Sequence, residues 1–185
     1  MRTYSRDDPP RPPRTLGSGR FMRSPHQLAH AASAVRVSGM DDCFAFTVDG
    51  RGERETAAFF DVEGGKISRV FDVLVGQDSL IGGVYETVTR ILGFGRFGQG
   101  STMGLAALGG SGFDCTPFMS AKSHSDHSIR QMGIVEQFGH LQRHRDAPLA
   151  EEHIRLAASI QEALEDVVIN LIEEGLNGRK ADNLC

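Results

Sequence analysis

The amino-acid sequence predicts an α/β domain in which a three-stranded antiparallel meander is combined with helices. Three observations carry this. Residues 43–74 alternate short β-rich runs with glycines at 50, 52, 64 and 65, the spacing of strands joined by turns. Residues 151–174 set Ile154, Ala157, Ala158, Gln161, Leu164, Val167, Val168 and Leu171 on one helical stripe. Ahead of the strands, the alanine-rich stretch from Ser24 to Val37 favours helix, and Pro25 suits its first turn.

In chain order, residues 1–23 come first, with six arginines against two aspartates and prolines at 9, 10, 12 and 13. Proline removes backbone donors and fixes φ, so a disordered, solvated tail is expected there. Its net +4 leaves −8 on the remainder of a chain whose total is −4. No aromatic residues interleave with the arginines and no basic patch follows them, so no nucleic-acid partner is expected. The domain proper is expected over 24–185. Its strands are "CFAFTVDGRGE" (43–53), broken at Asp49-Gly50, then "TAAFFDVEGG" (56–65) and "KISRVFDVL" (66–74). Leu80, Val84, Val88, Ile91 and Leu92 recur at helical spacing and stop at Gly93. The glycine-rich stretch beyond leaves room for one short helix around 102–108. The long helix over 151–174 has Glu151 and Glu152 at its positive end and Gly175 as a stop. "RKADNLC" then begins what reads as another strand.

Composition excludes several classes. With 39% hydrophobic and 24% charged residues the chain is an ordinary globular one. No apolar run approaches the roughly 20 residues of a membrane span, and residues 1–23 lack the apolar middle of a secretion signal. No membrane partner and a cytoplasmic location are expected. Cys43, Cys115 and Cys185 form no CxxC pair, so reduced thiols are expected rather than a disulfide framework or a thiolate zinc site.

Candidate chemistry begins at "HQLAHAASA" (26–34). On a helix His26 and His30 share a face and can share one divalent ion. Two ligands are too few for a site, and two ordinary helix histidines fit the spacing as well. A second such pair, His140 and His144 in "GHLQRHRD", lies in a polar stretch with no acidic-glycine turn behind it and reads as solvated. What distinguishes the first pair is "TVDGRGE". An aspartate at a strand end followed by Gly50 and Gly52 can bring backbone N–H groups to a phosphate while Asp49 holds a cation. Taken alone, Asp49-Gly50 also fits a simple type I′ hairpin. "STMGLAALGG" can offer N–H groups at a helix start or merely tight packing. "SHSDHS" (123–128) sets Asp126 between His124 and His127 without a nucleophile, and Ser33, Ser101 and Ser159 have no nucleophile-elbow context, so no hydrolase triad is expected.

"HQLAHAASA", "TVDGRGE", "VYETVTRILGFG", "TMGLAALG", "HIRLAASIQEALEDVVINL" and "NLC" occur in an order that resembles the nodulation and antibiotic-tailoring O-carbamoyltransferases, over roughly residues 25–185. The resemblance implies part of an actin-like ATPase (ribonuclease H-like) lobe, truncated at both ends. It implies a reaction in which ATP and carbamoyl phosphate give carbamoyl adenylate, whose carbamoyl group passes to a substrate hydroxyl. It further implies a divalent metal, iron rather than zinc or magnesium, at His26, His30 and Asp49, and nucleotide contacts at Gly50, Gly52 and Glu53. The partners implied are a small-molecule hydroxyl acceptor, carbamoyl adenylate and a complementing protein segment, with self-association into a homo-oligomer through incompletely covered apolar surface. Departures from the family pattern are Gln27 for a histidine, Arg54 for a tryptophan, Ser101 or Thr102 for a lysine, and Ala107-Leu108 for Pro-Tyr. The alternative expectation is an inactive remnant that acts at most as a metal-binding or interaction module, docking through the long helix.

Overall fold

A computed structural model describes residues 24–50, 55–74, 80–177 and 181–185. The expected tail, and Gly52, Glu53 and Arg54, lie outside the described residues. Helix α1 (His26–Ser38) ends at Gly39, whose left-handed backbone (φ 72°) a glycine adopts without a Cβ clash. Strands β1 (Cys43–Val48), β2 (Glu55–Glu63) and β3 (Lys66–Leu74) form the expected antiparallel meander in the order β1-β2-β3. Between β2 and β3 the turn is tight: Glu63 pairs with Lys66 across Gly64 (φ 55°) and Gly65 (φ 72°), the two positive-φ positions of a type I′ turn.

At the other hairpin the expectation is corrected. The register pairs Val48 with Ala57, and the Asp49 N–H donates to the Thr56 carbonyl at 2.9 Å. Six residues separate Asp49 from Thr56, too many for a two-residue Asp-Gly turn. Helices α2 (Ile81–Ile91) and α3 (Gln99–Ala106) follow, the latter beginning three residues earlier than its glycine content suggests. A short hairpin of β4 (Met119–Ala121) and β5 (His127–Ile129) and helix α4 (Gln131–Phe138) come next, three elements that the sequence pattern did not reveal. Residues 139–141 make a single 3₁₀ turn, and α5 (Glu151–Leu176) is the long helix expected. The final residues make an isolated parallel bridge rather than a strand: Leu184 pairs with Phe44, and Phe46 N–H donates to the Cys185 carbonyl at 2.8 Å.

Strand alternation sorts the core into two layers. Ala45, Ala58, Phe60 and Val62 pack against Ala31 and Val35 of α1. On the other face, Phe44, Phe59 and Val73 meet Val84 and Val88 of α2 and Ile160, Val167 and Leu171 of α5. Phe59 is the centre of this second layer, its ring 4.4 Å from that of Phe71 and 4.7 Å from that of Phe46. A Cβ on Gly175 would stand 2.7 Å from the Phe59 ring, so the end of α5 seats directly on it. The α5 stripe is therefore core rather than a docking face. Among the described residues no helix is long and apolar enough to cross a membrane.

Candidate metal centre

Antiparallel packing of α1 on β1 brings the start of the helix to the end of the strand. His26 and His30, one turn apart on α1, present their Nε2 atoms 3.1 Å from each other, with the rings edge-on at 83°. Across from them Asp49 Oδ2 is in hydrogen-bond contact with His26 Nε2 and 3.6 Å from His30 Nε2. All three donor atoms fall within 4.8 Å of one another. For metal–ligand bonds of about 2.1 Å, donors stand about 3.0 Å apart when cis in an octahedron and about 3.4 Å apart in a tetrahedron. The His26–His30 and His30–Asp49 separations suit a shared ion on that measure, while His26 and Asp49 stand closer, in direct hydrogen-bond contact. Each side chain keeps partial access, 38%, 55% and 27% exposed for His26, His30 and Asp49, so open coordination positions would face solvent or a ligand.

Asp49 is fixed from behind. Its carbonyl accepts from the Thr56 hydroxyl at 3.4 Å, and that same hydroxyl accepts from the Ile81 N–H at 2.8 Å. The first turn of α2 thereby sits against the strand end. A Cβ added to Gly82 would come within 2.6 Å of Gly50 Cα and 2.8 Å of Gly50 N, so only glycine permits this approach. Gly50, the nucleotide-facing candidate that the structure describes, is thus a packing residue whatever else it contacts. Beneath the pair lies Gln27, fully buried, with neither amide atom hydrogen-bonded among the described residues.

Beside this corner an open cavity of about 380 Å³ is lined by Asp49 and Gly50, by the first turns of α2 and α3, and by Gln161 and Leu164 of α5. A polar chain runs along its wall. The Tyr85 hydroxyl donates to Gln161 Oε1 at 2.8 Å and the Gln161 amide donates to Glu165 at 2.7 Å. Burial, and then the Glu165 carboxylate, push the Tyr85 phenol up, keeping it a neutral donor. A glutamine inside the apolar stripe of α5 was the one sequence signal for this chain.

The remaining candidates are not brought to the corner. Thr102 is buried and donates to the Thr89 hydroxyl at 2.9 Å, whereas Ser101 is exposed. Ser159 is a packing group, accepting the N–H groups of Gly112 and Phe113. His124 binds Glu174 through Nδ1 at 2.6 Å at the far end of α5. Ala107 and Leu108 are exposed past the end of α3.

Comparison with known proteins gives this geometry its context. The family model for the carbamoyltransferase N-terminus matches residues 15–185. The chain is similar to nodulation protein NolNO of Sinorhizobium fredii, with 28% identity over 162 residues, which covers 80% of this chain and 22% of that protein. It is also similar to nodulation protein NolO of Bradyrhizobium diazoefficiens, with 26% identity over 165 residues, covering 86% and 30%. A third match, an uncharacterized protein of Synechocystis, is 25% identical over 177 residues, covering 86% and 28%. The chain spans less than a third of the length of these curated relatives.

Proposed function

Because this chain belongs to the carbamoyltransferase N-terminus family, we propose that it contributes the metal-holding part of an O-carbamoyltransferase working in the cytoplasm. The observation that carries the proposal is the convergence of His26, His30 and Asp49 within 4.8 Å. Two imidazoles and one carboxylate with open positions are the donor set of non-haem iron sites and of catalytic zinc sites alike; the imidazoles disfavour magnesium, and the preference for iron over zinc comes from the family resemblance. A bound divalent ion would neutralise phosphate charge and orient the adenylate.

The chain's own residues do the rest. Asp49, held by Thr56 and the first turn of α2, fixes the place of the cation relative to the cavity. Gly50, with Gly52 and Glu53, would face the nucleotide. The meander, with an isolated parallel bridge beside β1, supports an actin-like lobe. In the transfer itself the acceptor oxygen bonds to the carbamoyl carbon and the bond from that carbon to the phosphate oxygen breaks. AMP leaves with the electron pair, and the hydroxyl proton passes to solvent. Much of the rate would come from holding the two reactants in register. Formation of the adenylate from ATP and carbamoyl phosphate is assigned to a complementing protein segment.

The test is incubation with ATP, carbamoyl phosphate and Fe²⁺, with and without a complementing adenylate-forming protein, measuring pyrophosphate for adenylate formation and AMP for transfer of the carbamoyl group to water or an added alcohol. AMP release above the background of the complementing protein alone, lost in Asp49→Asn, is expected. AMP release unchanged by Asp49→Asn would overturn the assignment of the corner.

A further inference from the structure

We infer that α1 is a unit that opens separately from the rest of the domain, swinging about Gly39 from a predominantly docked state, and that a divalent ion at His26, His30 and Asp49 locks it onto the sheet. The inference rests on the reading of that corner as a metal centre, and adds what filling the corner does to the fold.

Three features point to it. First, the apolar layer under α1 is small and separate from the larger one. Ala31 and Val35 meet Ala45, Ala58, Phe60 and Val62 there, whereas α2 and α5 pack into the layer on the other face of the sheet. Undocking α1 leaves that second layer intact, which is the condition for local rather than global opening. Second, α1 is weakly held. It buries three of its thirteen residues, Gln27, Ala31 and Val35, against eight of eleven in α2. One of the three is an amide with no hydrogen-bond partner among the described residues, and water solvates that amide once the helix lifts. No side chain caps the first turn, and a helix of this length is marginal by itself. At its far end Gly39 is left-handed, with open space where a Cβ would stand, so the chain can swing there. Third, the donor atoms come from two elements. His26 and His30 ride on α1, whereas Asp49 follows the end of β1. Before an ion binds, His26 and Asp49 are joined by a hydrogen bond between groups 38% and 27% exposed, and pairs that open to water contribute little. An ion held by all three side chains is released when α1 leaves, so it favours the docked state in proportion to its free concentration over its dissociation constant.

The measurement is amide hydrogen exchange by NMR on the full chain, metal-free and with Zn²⁺, a redox-inert ion that accepts the same donors, at about 100 times its dissociation constant; zinc retention is measured in parallel. Without metal, the amides of residues 31–36 should exchange at least tenfold faster than those of Phe59 and Phe60 in β2, after correction for intrinsic rates. Zinc should slow the α1 amides about 100-fold, and Asp49→Ala, which leaves both histidines on the helix, should abolish that protection. Gln27→Met removes the unpartnered amide and touches no donor, and should slow metal-free α1 exchange about fivefold or more. A common metal-free rate for α1 and β2 overturns the separate unit. Zinc that is retained while α1 exchange stays unchanged, or protection that survives in Asp49→Ala because the ion grips the helix alone, overturns the lock. Failure to retain zinc at all removes the reading of the corner and the lock with it, while the metal-free difference between α1 and β2 still decides whether α1 opens by itself.

Discussion

Two stretches of this chain carry histidines four residues apart, and only one brings them together. At 26–30 the backbone is α-helical, so the fourth residue returns to the same face and both Nε2 atoms turn towards Asp49. At 140–144 the 3₁₀ turn ends at Leu141 and the chain leaves helical geometry at Gln142 (ψ 116°). There His144 is 82% exposed, and its Nδ1 accepts the Asp146 N–H at 3.5 Å and stands 3.9 Å from the Asp146 carboxylate. What the second stretch buries is Arg143, whose guanidinium donates to the carbonyls of Leu92 at 2.7 Å and Arg145 at 3.0 Å, as well as to that of Ala147. The same spacing thus builds a donor cluster on a continuous helix and a loop anchor off it. A residue interval becomes chemistry only when the backbone between its ends has the matching period.

The largest expected difference between the two stretches is in metal retention. His26→Ala or His30→Ala removes one of three donors and should weaken Fe²⁺ or Zn²⁺ binding more than about 100-fold, beyond the 10–100-fold loss usual when only a supporting group is removed. His140→Ala and His144→Ala should leave it unchanged. Equilibrium dialysis followed by elemental analysis decides it, and equal losses at all four positions would erase the distinction.

Next in size is the packing behind each stretch. Gly82→Ala pushes a methyl group into the Gly50 backbone, which cannot step aside as a flexible side chain can. The overpacking cost of about 1–3 kcal/mol exceeds the helix-propensity gain of about 1 kcal/mol, so a net loss on the order of 1 kcal/mol is expected, together with weaker metal retention as Asp49 shifts. Gly139→Ala, at the end of α4, has right-handed backbone (φ −59°), and its Cβ would meet only Val135, at 4.0 Å. It should gain about 0.4–1 kcal/mol by restricting the unfolded chain. Urea unfolding of the two variants should therefore give shifts of opposite sign.

These contrasts also explain what the sequence made legible. The meander could be read because glycines at 64 and 65 force a turn of one type, and α5 because its apolar stripe lasts about five turns. Histidines 26 and 30 could be set beside Asp49 from the order of the motifs, but a shared site at the three followed from the resemblance, since nothing in the spacing tells how α1 packs on β1. The wide connection after Asp49 was hidden by Asp-Gly, a dipeptide that suits a tight turn but does not fix the strand register. The β4–β5 hairpin and α4 were missed because three-residue strands and a two-turn helix are too short to show a period. Buried Gln27 and the Tyr85–Gln161–Glu165 chain were invisible for a related cause. A polar residue declares its partners only once the packing is known.

The smallest expected effect is the most discriminating about how each stretch is built. Gln27 and Gln142 sit beside the two histidine pairs and can both be replaced by methionine of similar length. Gln27 is fully buried and its amide has no hydrogen-bond partner among the described residues, while Gln142 is exposed and donates to the Arg90 carbonyl at 3.0 Å. Leaving a buried polar group unpaired costs about 1–3 kcal/mol, and making an ordinary hydrogen bond contributes about 0.5–1.5 kcal/mol. Gln27→Met should accordingly raise stability by about 1 kcal/mol and Gln142→Met lower it by about 0.5 kcal/mol, both read from urea midpoints at constant slope. With His26, His30 and Asp49 untouched, Gln27→Met should also hold metal as tightly as the parent chain. If it instead loses stability and metal together, the buried amide is bridged to the donor cluster, through a water molecule trapped between α1 and the sheet, and the cluster is supported from beneath as well as from α2.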